Sequence, residues 1–272
     1  MARYLLLGHL TRDLLPEGGF RYGGAVLYAG LTARRLGFEV GVVTASAERD
    51  LSAVFPELRF YHLPSPQTTT FENLLTPSGR RQRVHAQARP ISIKDLPPAW
   101  RRAEIIHLAP VLDEISPAEA RLLETDFLVA NPQGWFRQVR PDGEVVFKQP
   151  DLSQAPRFKA LVLSEEDLQG HQELIPQLRQ KADLLVLTMG RKGASLWEGD
   201  EHFFLPVEPQ PERDATGAGD IFAAAFFAML FASGKPKVAL RFAACLASVS
   251  VLRAGLASVP SLEEISNCLE RP

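Results

Sequence analysis

The sequence predicts an α/β fold: a doubly wound, mostly parallel central sheet with helices on both faces and a small β lid. Three observations carry this. Short continuous apolar runs of strand length recur along the chain, as in strands buried on both faces. Stretches of helical character alternate with them, which argues parallel pairing through crossovers. One pair of neighbouring arms is too polar for a core and reads as a projecting hairpin.

The first apolar run, residues 4–7, ends at Gly8 and leads into the loop His9-Leu-Thr-Arg-Asp13. After the turn-rich Pro16-Glu-Gly-Gly19 and Phe20-Arg-Tyr22, Gly23-Gly24 opens a helix through Arg35, with Gly37 placed to end it. Residues 39–44 and 59–63 continue as strands. Residues 68–75 and 80–86, rich in polar and β-branched side chains, flank the turn Thr76-Pro-Ser-Gly79 and form the polar hairpin. Strands follow at 105–108, 127–130, 160–163 and 184–187, with helical stretches at 116–124 and 168–181 between them. A second hairpin spans 194–204, and helices around 217–232, 236–252 and 261–270 end the chain. No repeat or linker divides it, so one domain over 1–272 is expected, its lid drawn from about 14–23 and 67–88.

Composition narrows the class. At 272 residues the chain is long enough for one large α/β domain. A net charge of −2 with mixed signs gives no case for nucleic acid, although Arg80-Arg81-Gln-Arg83 is locally basic. Cys245 and Cys268 offer neither a disulfide framework nor a metal spacing, which suits a reducing cytoplasm. The N-terminal run is too short for a signal peptide, and residues 221–232 are too few to cross a membrane. A soluble, cytoplasmic protein with no membrane partner is expected.

The stretch that carries chemistry is Asp214-Ala-Thr-Gly-Ala-Gly-Asp220, which runs straight into an apolar helix. The amides of Gly217, Ala218 and Gly219 then lie at a helix N-terminus, where orphan donors and the helix dipole favour an anion. Asp220, in the first turn, would repel that anion. A carboxylate beside an anion hole fits the removal of a proton from a nucleophile that attacks the anion. An Asp placed only to favour the dipole fits the same seven residues.

This stretch resembles the C-terminal signature of the ribokinase (PfkB) family of small-molecule kinases, with Ala215 where the family usually has Thr or another small residue. The resemblance implies Asp220 as the base and the 217–219 amides as the anion hole, with Thr216, Gly217 and Gly219 at the phosphoryl donor. Gly8-His-Leu-Thr-Arg-Asp13 resembles the family's opening Gly-x-x-x-x-Asp, whose Asp holds substrate hydroxyls; Asp13 would do so by charge-assisted hydrogen bonds. Gly23-Gly24 matches the loop that lets substrate approach the backbone. Tyr28 stands where the family usually carries Asn, and a packed core residue is its other reading.

Further motifs match in order. Thr188-Met-Gly-Arg-Lys-Gly193 is similar to the nucleotide loop and implies Thr188, Gly190, Lys192 and Gly193 at ATP, although a glycine turn into the hairpin explains it equally. Ser164-Glu-Glu-Asp167 stands at the family's Asn-x-x-Glu, which positions magnesium, and so implies Glu166 and Asp167 near Mg²⁺. Read alone, Ser164 with Asp167 is close to a capping box, and the two roles are compatible. Asn131-Pro-Gln-Gly-Trp-Phe-Arg137 puts Gln133 at the acceptor and is similar to the inositol-kinase-like branch, where a plain surface turn is the alternative. The loop from Arg253 to Pro260 resembles the one that covers adenine and, with the Asp214 loop, can hold a monovalent cation; a simple helix connection fits it too.

The function expected is transfer of the ATP γ-phosphate to a hydroxyl of a small sugar, polyol or related alcohol, with Asp220 as general base and magnesium as cofactor. The alternative is a catalytically weak or inactive nucleotide- or metabolite-binding regulator on the same fold; a binding module without nucleotide is a third reading. Nine residues separate Asp13 from Gly23, which leaves room only for a small lid and predicts a monomer or weak homodimer.

Overall fold

Strand β1 (Tyr4–Leu7) is buried throughout and starts the chain in the middle of a sheet. The computed structural model describes residues 3–76 and 79–270. After β1 come β2 (Thr11–Leu14), β3 (Phe20–Gly23), α1 (Ala25–Arg35), β4 (Val40–Ser46), the short α2 (Leu51–Val54) and β5 (Arg59–Pro64). The polar hairpin is β6 (Thr69–Thr76) and β7 (Gly79–Ala86); β8 (Ile105–Leu108) and β9 (Leu128–Ala130) return to the main sheet. A small hairpin, β10 (Arg137–Val139) and β11 (Val145–Phe147), precedes β12 (Phe158–Ser164), α3 (Glu165–Leu168), α4 (Ile175–Gln180) and β13 (Ala182–Thr188). β14 (Ala194–Glu198) and β15 (Glu201–Leu205) are followed by α5 (Ala218–Ser233), α6 (Pro236–Ser250) and α7 (Leu262–Leu269).

The main sheet runs β15-β14-β13-β12-β9-β8-β1-β4-β5, parallel from β13 to β5 with the β14–β15 hairpin antiparallel at one edge. From the interior strand β1 the chain builds outward through β4 and β5, then crosses to β8 and builds the other way. That reversal between β1 and β8 makes a topological switch point, where loops diverge and leave a crevice at the strands' C-terminal ends.

Side-chain alternation sorts each strand between two cores. Tyr4 and Leu6 join the layer under α1, α5 and α6, with Phe226 and Phe227; Leu5 and Leu7 join the opposite layer, with Trp135, Phe136 and Phe158. α5 is apolar on every side, and its buried residues run from Ile221 to Leu230, which is why it sits between sheet and α6 and not on the surface.

The opposite face is covered more lightly than the helical spacing predicts. The stretch expected to be helical at 116–124 is a 3₁₀ segment over Pro117–Leu122, with Glu119 accepting a 2.6 Å bond from the Ile93 N–H. The one expected at 168–181 is broken. Gln169 (φ 45°) and Gly170 (φ 91°) leave the helical region after α3, and a 3₁₀ turn at Gln172–Leu174 precedes α4.

The lid is a four-stranded sheet in the order β3-β2-β6-β7. It begins earlier than expected, at Thr11, so Asp13 lies inside a lid strand. One carboxylate fastens its base. Glu48, just after β4, accepts from Arg12 (2.9 Å), Tyr22 (2.9 Å) and Thr68 (2.7 Å), which belong to β2, β3 and the approach to β6.

Cys245 on α6 and Cys268 on α7 form a disulfide, which corrects the expectation that the two cysteines have no bonding role. Their 23-residue separation carries no signal in the sequence. The pairing follows from α7 folding back on α6, pinned where Arg253 pairs with Glu264 at 2.6 Å and Ser261 caps the helix. The support that free thiols gave to a reducing compartment is thereby removed. Among the described residues no helix is long and apolar enough to cross a membrane. Closing a loop of this size lowers unfolded-chain entropy by about 3 kcal/mol, so reduction or Cys268→Ser should lower the calorimetric midpoint. An unchanged midpoint would mean that α6–α7 packing suffices without the bond.

Candidate active site

The C-terminal ends of the parallel strands and the N-terminus of α5 enclose a cavity of about 1030 Å³. It lies where doubly wound sheets bind ligands, since each strand there hands over to a loop. Asp13 follows β1, Gln133 follows β9, Asp167 follows β12 and Gly190 follows β13, so residues scattered through the sequence line one cleft.

The entry to α5, where an anion is expected, takes its shape because Gly217, the residue before the helix, adopts φ 81°. A Cβ there would run into the ring of Tyr28 on α1, so only glycine lets the loop and the ring pack together. Of the expected amides, Ala218 N–H is already bonded to Ala215 O at 3.1 Å, closing the turn into the helix. Gly217 and Gly219 N–H have no partner among the described residues, and a Cβ on Gly219 would meet nothing within 4 Å. The donors aimed at an anion are therefore those of Gly217 and Gly219.

Asp220, half-buried in the first turn, accepts a 2.7 Å bond at Oδ1 from Asn131 Nδ2. Burial, and after it the negative charge of Asp167, pushes its carboxyl up to about 7; Arg137 and the Asn131 amide pull the other way, and Asp13 adds to the rise. A carboxylate poised near neutrality beside helix amides has the properties of a proton acceptor.

On the acceptor side, Asp13 is nearly buried, with its carboxylate lying on the Cα of Gly23. Gly23 therefore seats Asp13 and does not line the cavity, whereas Gly24 (φ 92°) does line it. Tyr28 is both a core residue and one of the residues lining the cavity. Its ring is packed in the core, and its buried hydroxyl has no hydrogen-bond partner among the described residues. Burial and the charge of Asp13 raise the phenol's pKa, so it stays protonated and able to donate.

Ser164 and Asp167 form a capping box on α3, with Asp167 Oδ2 accepting from Ser164 N and Oγ, each at 2.8 Å. Gln133 Nε2 donates to the other oxygen at 2.9 Å. Glu166 is exposed on the cavity wall. Among the described residues there is no cluster of three or more His, Cys, Asp or Glu side chains that would hold a bare ion. The carboxylates present suit a magnesium ion that keeps its own waters.

On the donor side Thr188, Gly190 and Gly193 line the cavity, as does Arg191, which pairs with Glu212 at 3.4 Å. Lys192 is not among the lining residues. Its amine is 3.1 Å from Glu165 on the exposed rim, so Arg191 is the loop's cation at the cleft. Thr216 donates its backbone N–H to Asp214 at 2.9 Å. Burial alone would raise the Asp214 carboxyl, but the Thr216 bonds, the Arg21 guanidinium and the Gly255 N–H hold it below its usual range. Arg21 comes from lid strand β3 and sits 3.0 Å from Asp214. Sequence reasoning missed Arg21 and Asn131. Nothing near Arg21 marks it, but Asn131 directly follows an apolar strand, where ligand loops begin.

Similarity to known proteins agrees with this geometry. The pfkB family carbohydrate kinase pattern matches residues 123–263. The chain is 23% identical over 264 residues to a cytidine kinase of Thermococcus kodakarensis, covering 87% of this chain and 91% of that one. Its fold matches a pyrophosphate-dependent kinase of the ribokinase family, solved with a pyrophosphate analogue and myo-inositol, at TM-score 0.83, 21% identity and coverage of 97% and 99%. It also matches a fructokinase with bound ATP from Xylella fastidiosa at TM-score 0.75, 18% identity and 99% of both chains. The chain belongs to the pfkB family of carbohydrate kinases and is a phosphotransferase of the ribokinase fold.

The raised Asp220 carboxyl has a consequence for stability that needs no substrate. An acid whose pKa is higher folded than unfolded binds its proton more tightly in the native state, so its contribution to stability falls as pH rises from about 4 to about 7. Asp220→Asn should therefore melt higher than the parent at pH 8, with the gain gone near pH 4. A variant that melts lower at both pH values would identify Asp220 as a simple dipole partner, whose loss costs a few tenths to about 1 kcal/mol.

Proposed function

We propose that the chain transfers the γ-phosphoryl group of ATP to a hydroxyl of a small sugar, polyol or related alcohol, with Asp220 as the general base. One observation carries this: a carboxylate raised to about 7 stands in the first turn of α5, beside the Gly217 and Gly219 amides, which have no partner among the described residues. A protein that only bound nucleotide would gain nothing from a base there, and no observation favours the regulator reading.

The chain's residues divide the work. Asp13 accepts hydrogen bonds from acceptor hydroxyls, Tyr28 donates one, and the Gly24 backbone lets the acceptor lie close. The acceptor oxygen attacks the γ-phosphorus, the bond from phosphorus to the ADP oxygen breaks, and the hydroxyl proton passes to Asp220. Gly217 and Gly219 N–H take up charge on the phosphoryl oxygens during transfer. Magnesium, positioned through Glu166 and Asp167, would neutralise the donor's phosphates. The lid keeps water from competing for the phosphoryl group.

The donor end favours a nucleotide. Besides Thr188 and Gly193 the cavity is lined by Val207, Pro209, Ala244, Ala247 and Val251 with Glu208, Gln210 and Ser248 among them, a mixed wall that suits a base with its polar edge and that pyrophosphate would leave unfilled. The acceptor end sets Phe71, Val111 and Val145 against Asp13 and Gln133, which suits a neutral polyhydroxy ring with one apolar face. Arg81, Arg83 and His85 are exposed along β7 at the lid's edge, a polar surface consistent with a monomer or weak dimer.

If Asp220 is the base, Asp220→Asn folds, binds ATP as tightly as the parent or tighter, and turns over about a hundred- to ten-thousand-fold more slowly. ADP release measured against a panel of polyols, sugars and nucleosides tests this, and near-normal turnover would sink the mechanism. Arg21 already supplies positive charge beside Asp214, where a monovalent cation was expected. Turnover in choline chloride should therefore match that in potassium chloride; dependence on potassium would mean that the ion pair does not replace the cation.

A further inference from the structure

A line of buried hydrogen bonds runs from the core to the base. Tyr4 Oη on β1 is 3.0 Å from His107 Nδ1 on β8; His107 Nε2 is 2.7 Å from Asn131 Oδ1; Asn131 Nδ2 is 2.7 Å from Asp220 Oδ1. Tyr4 and His107 are fully buried and Asn131 nearly so, with the His107 ring edge-on to Phe227 of α5 at 4.8 Å.

The order of protons along this line follows from satisfying every buried donor. The Tyr4 hydroxyl has His107 Nδ1 as its one hydrogen-bond partner among the described residues, so Nδ1 must accept. A neutral imidazole then carries its proton on Nε2, and burial keeps the ring neutral by lowering its pKa to about 3. Nε2–H donates to Asn131 Oδ1, which turns the amide so that Nδ2–H meets Asp220. Reversing any link leaves a buried hydrogen without an acceptor or sets two acceptors face to face.

We propose that Asn131 is a positioning residue, locked by His107 and Tyr4, which pins Asp220 Oδ1 and leaves Oδ2 for the acceptor hydroxyl. The proposal rests on Asp220 being the base. An amide suits the task because it donates without titrating. A lysine there would hold the carboxylate too tightly to take a proton, and an aspartate would repel it. A carboxylate fixed at one oxygen keeps a single orientation, which proton transfer within hydrogen-bond reach requires.

Steady-state kinetics and ¹⁵N NMR of the imidazole test this together. In the parent, His107 should appear as the neutral Nε2–H tautomer from pH 6 to 9; an Nδ1–H tautomer would overturn the proton order. Asn131→Ala should lower kcat about ten- to a hundred-fold, the size usual for partners that orient a reacting group, with both KM values within about twofold. If Asn131→Ala does not fold, Tyr4→Phe decides. It removes one buried hydroxyl, and a several-fold fall in kcat with a mixed His107 tautomer supports the relay, whereas unchanged kcat refutes it. Asp220→Asn, run alongside, separates the two claims. If it is inactive while Asn131→Ala stays within about twofold of the parent, the relay fails and the base stands. If Asp220→Asn turns over normally, the base fails and the relay with it.

Discussion

A buried helix that carries a carboxylate beside unpartnered amides in its first turn is the constraint on which this molecule depends. α5 is apolar on every side, so it can be stable only between the sheet and α6. Its positive end is then fixed at the C-terminal edge of the strands, where it opens into the cleft. Asp220 sits in that end, with Asp13 and Asp167 close enough to raise its pKa further. Like charges gathered in one cleft destabilise the empty fold. Arg137, the Asn131 amide and the Gln133 bond to Asp167 keep them there. Sites that do chemistry commonly hold such stored repulsion, because the group that suffers from it is the one ready to react.

The lid belongs to the same arrangement. Because β2 carries Asp13 and β3 carries Arg21, two lid strands end in contact with the site: one reaches toward the acceptor, the other pairs with the Asp214 loop that leads into α5. Glu48 gathers Arg12, Tyr22 and Thr68 at the lid's base. Displacing the lid would shift Asp13 and break the Arg21–Asp214 pair at once. The placement of Asp13 and that of the loop leading into α5 are thus linked through one small sheet.

What could be read from the sequence were features set by neighbouring residues. The apolar runs of β1, β8 and β13, the glycine pair before α1 and the small-residue entry to α5 each encode their own conformation, and each was legible. β2 was not, because four mostly polar residues between a strand and a turn look like a loop until another strand pairs with them. The helical expectation at 168–181 failed at Gln169 and Gly170, where two successive left-handed residues outweigh the spacing. Partners distant in sequence left no trace. Arg21 meeting Asp214, Cys245 bonding Cys268 and Lys192 turning to Glu165 are consequences of topology. Asn131 lies between these cases: its place after a strand pointed to a ligand loop, and its hydrogen bond to Asp220 did not.

Asp167 illustrates how a local and a distant demand settle on one side chain. A Glu at this position could reach into the cleft; an Asp is one methylene shorter and stays with its own backbone. Its Oδ2 is occupied by Ser164 N and Oγ, and Oδ1 by Gln133, so of about four acceptor sites on an ionised carboxylate roughly one is left. Asp167 cannot then chelate an ion through both oxygens without uncapping α3. A magnesium ion at the proposed donor phosphates would be held through the remaining Oδ1 site, Glu166 and its own waters, which suits an ion that gives up its hydration reluctantly. Ser164 and Asp167, standing at the family's Asn-x-x-Glu, thus suit a water-mediated contact, with Gln133 holding the carboxylate in place.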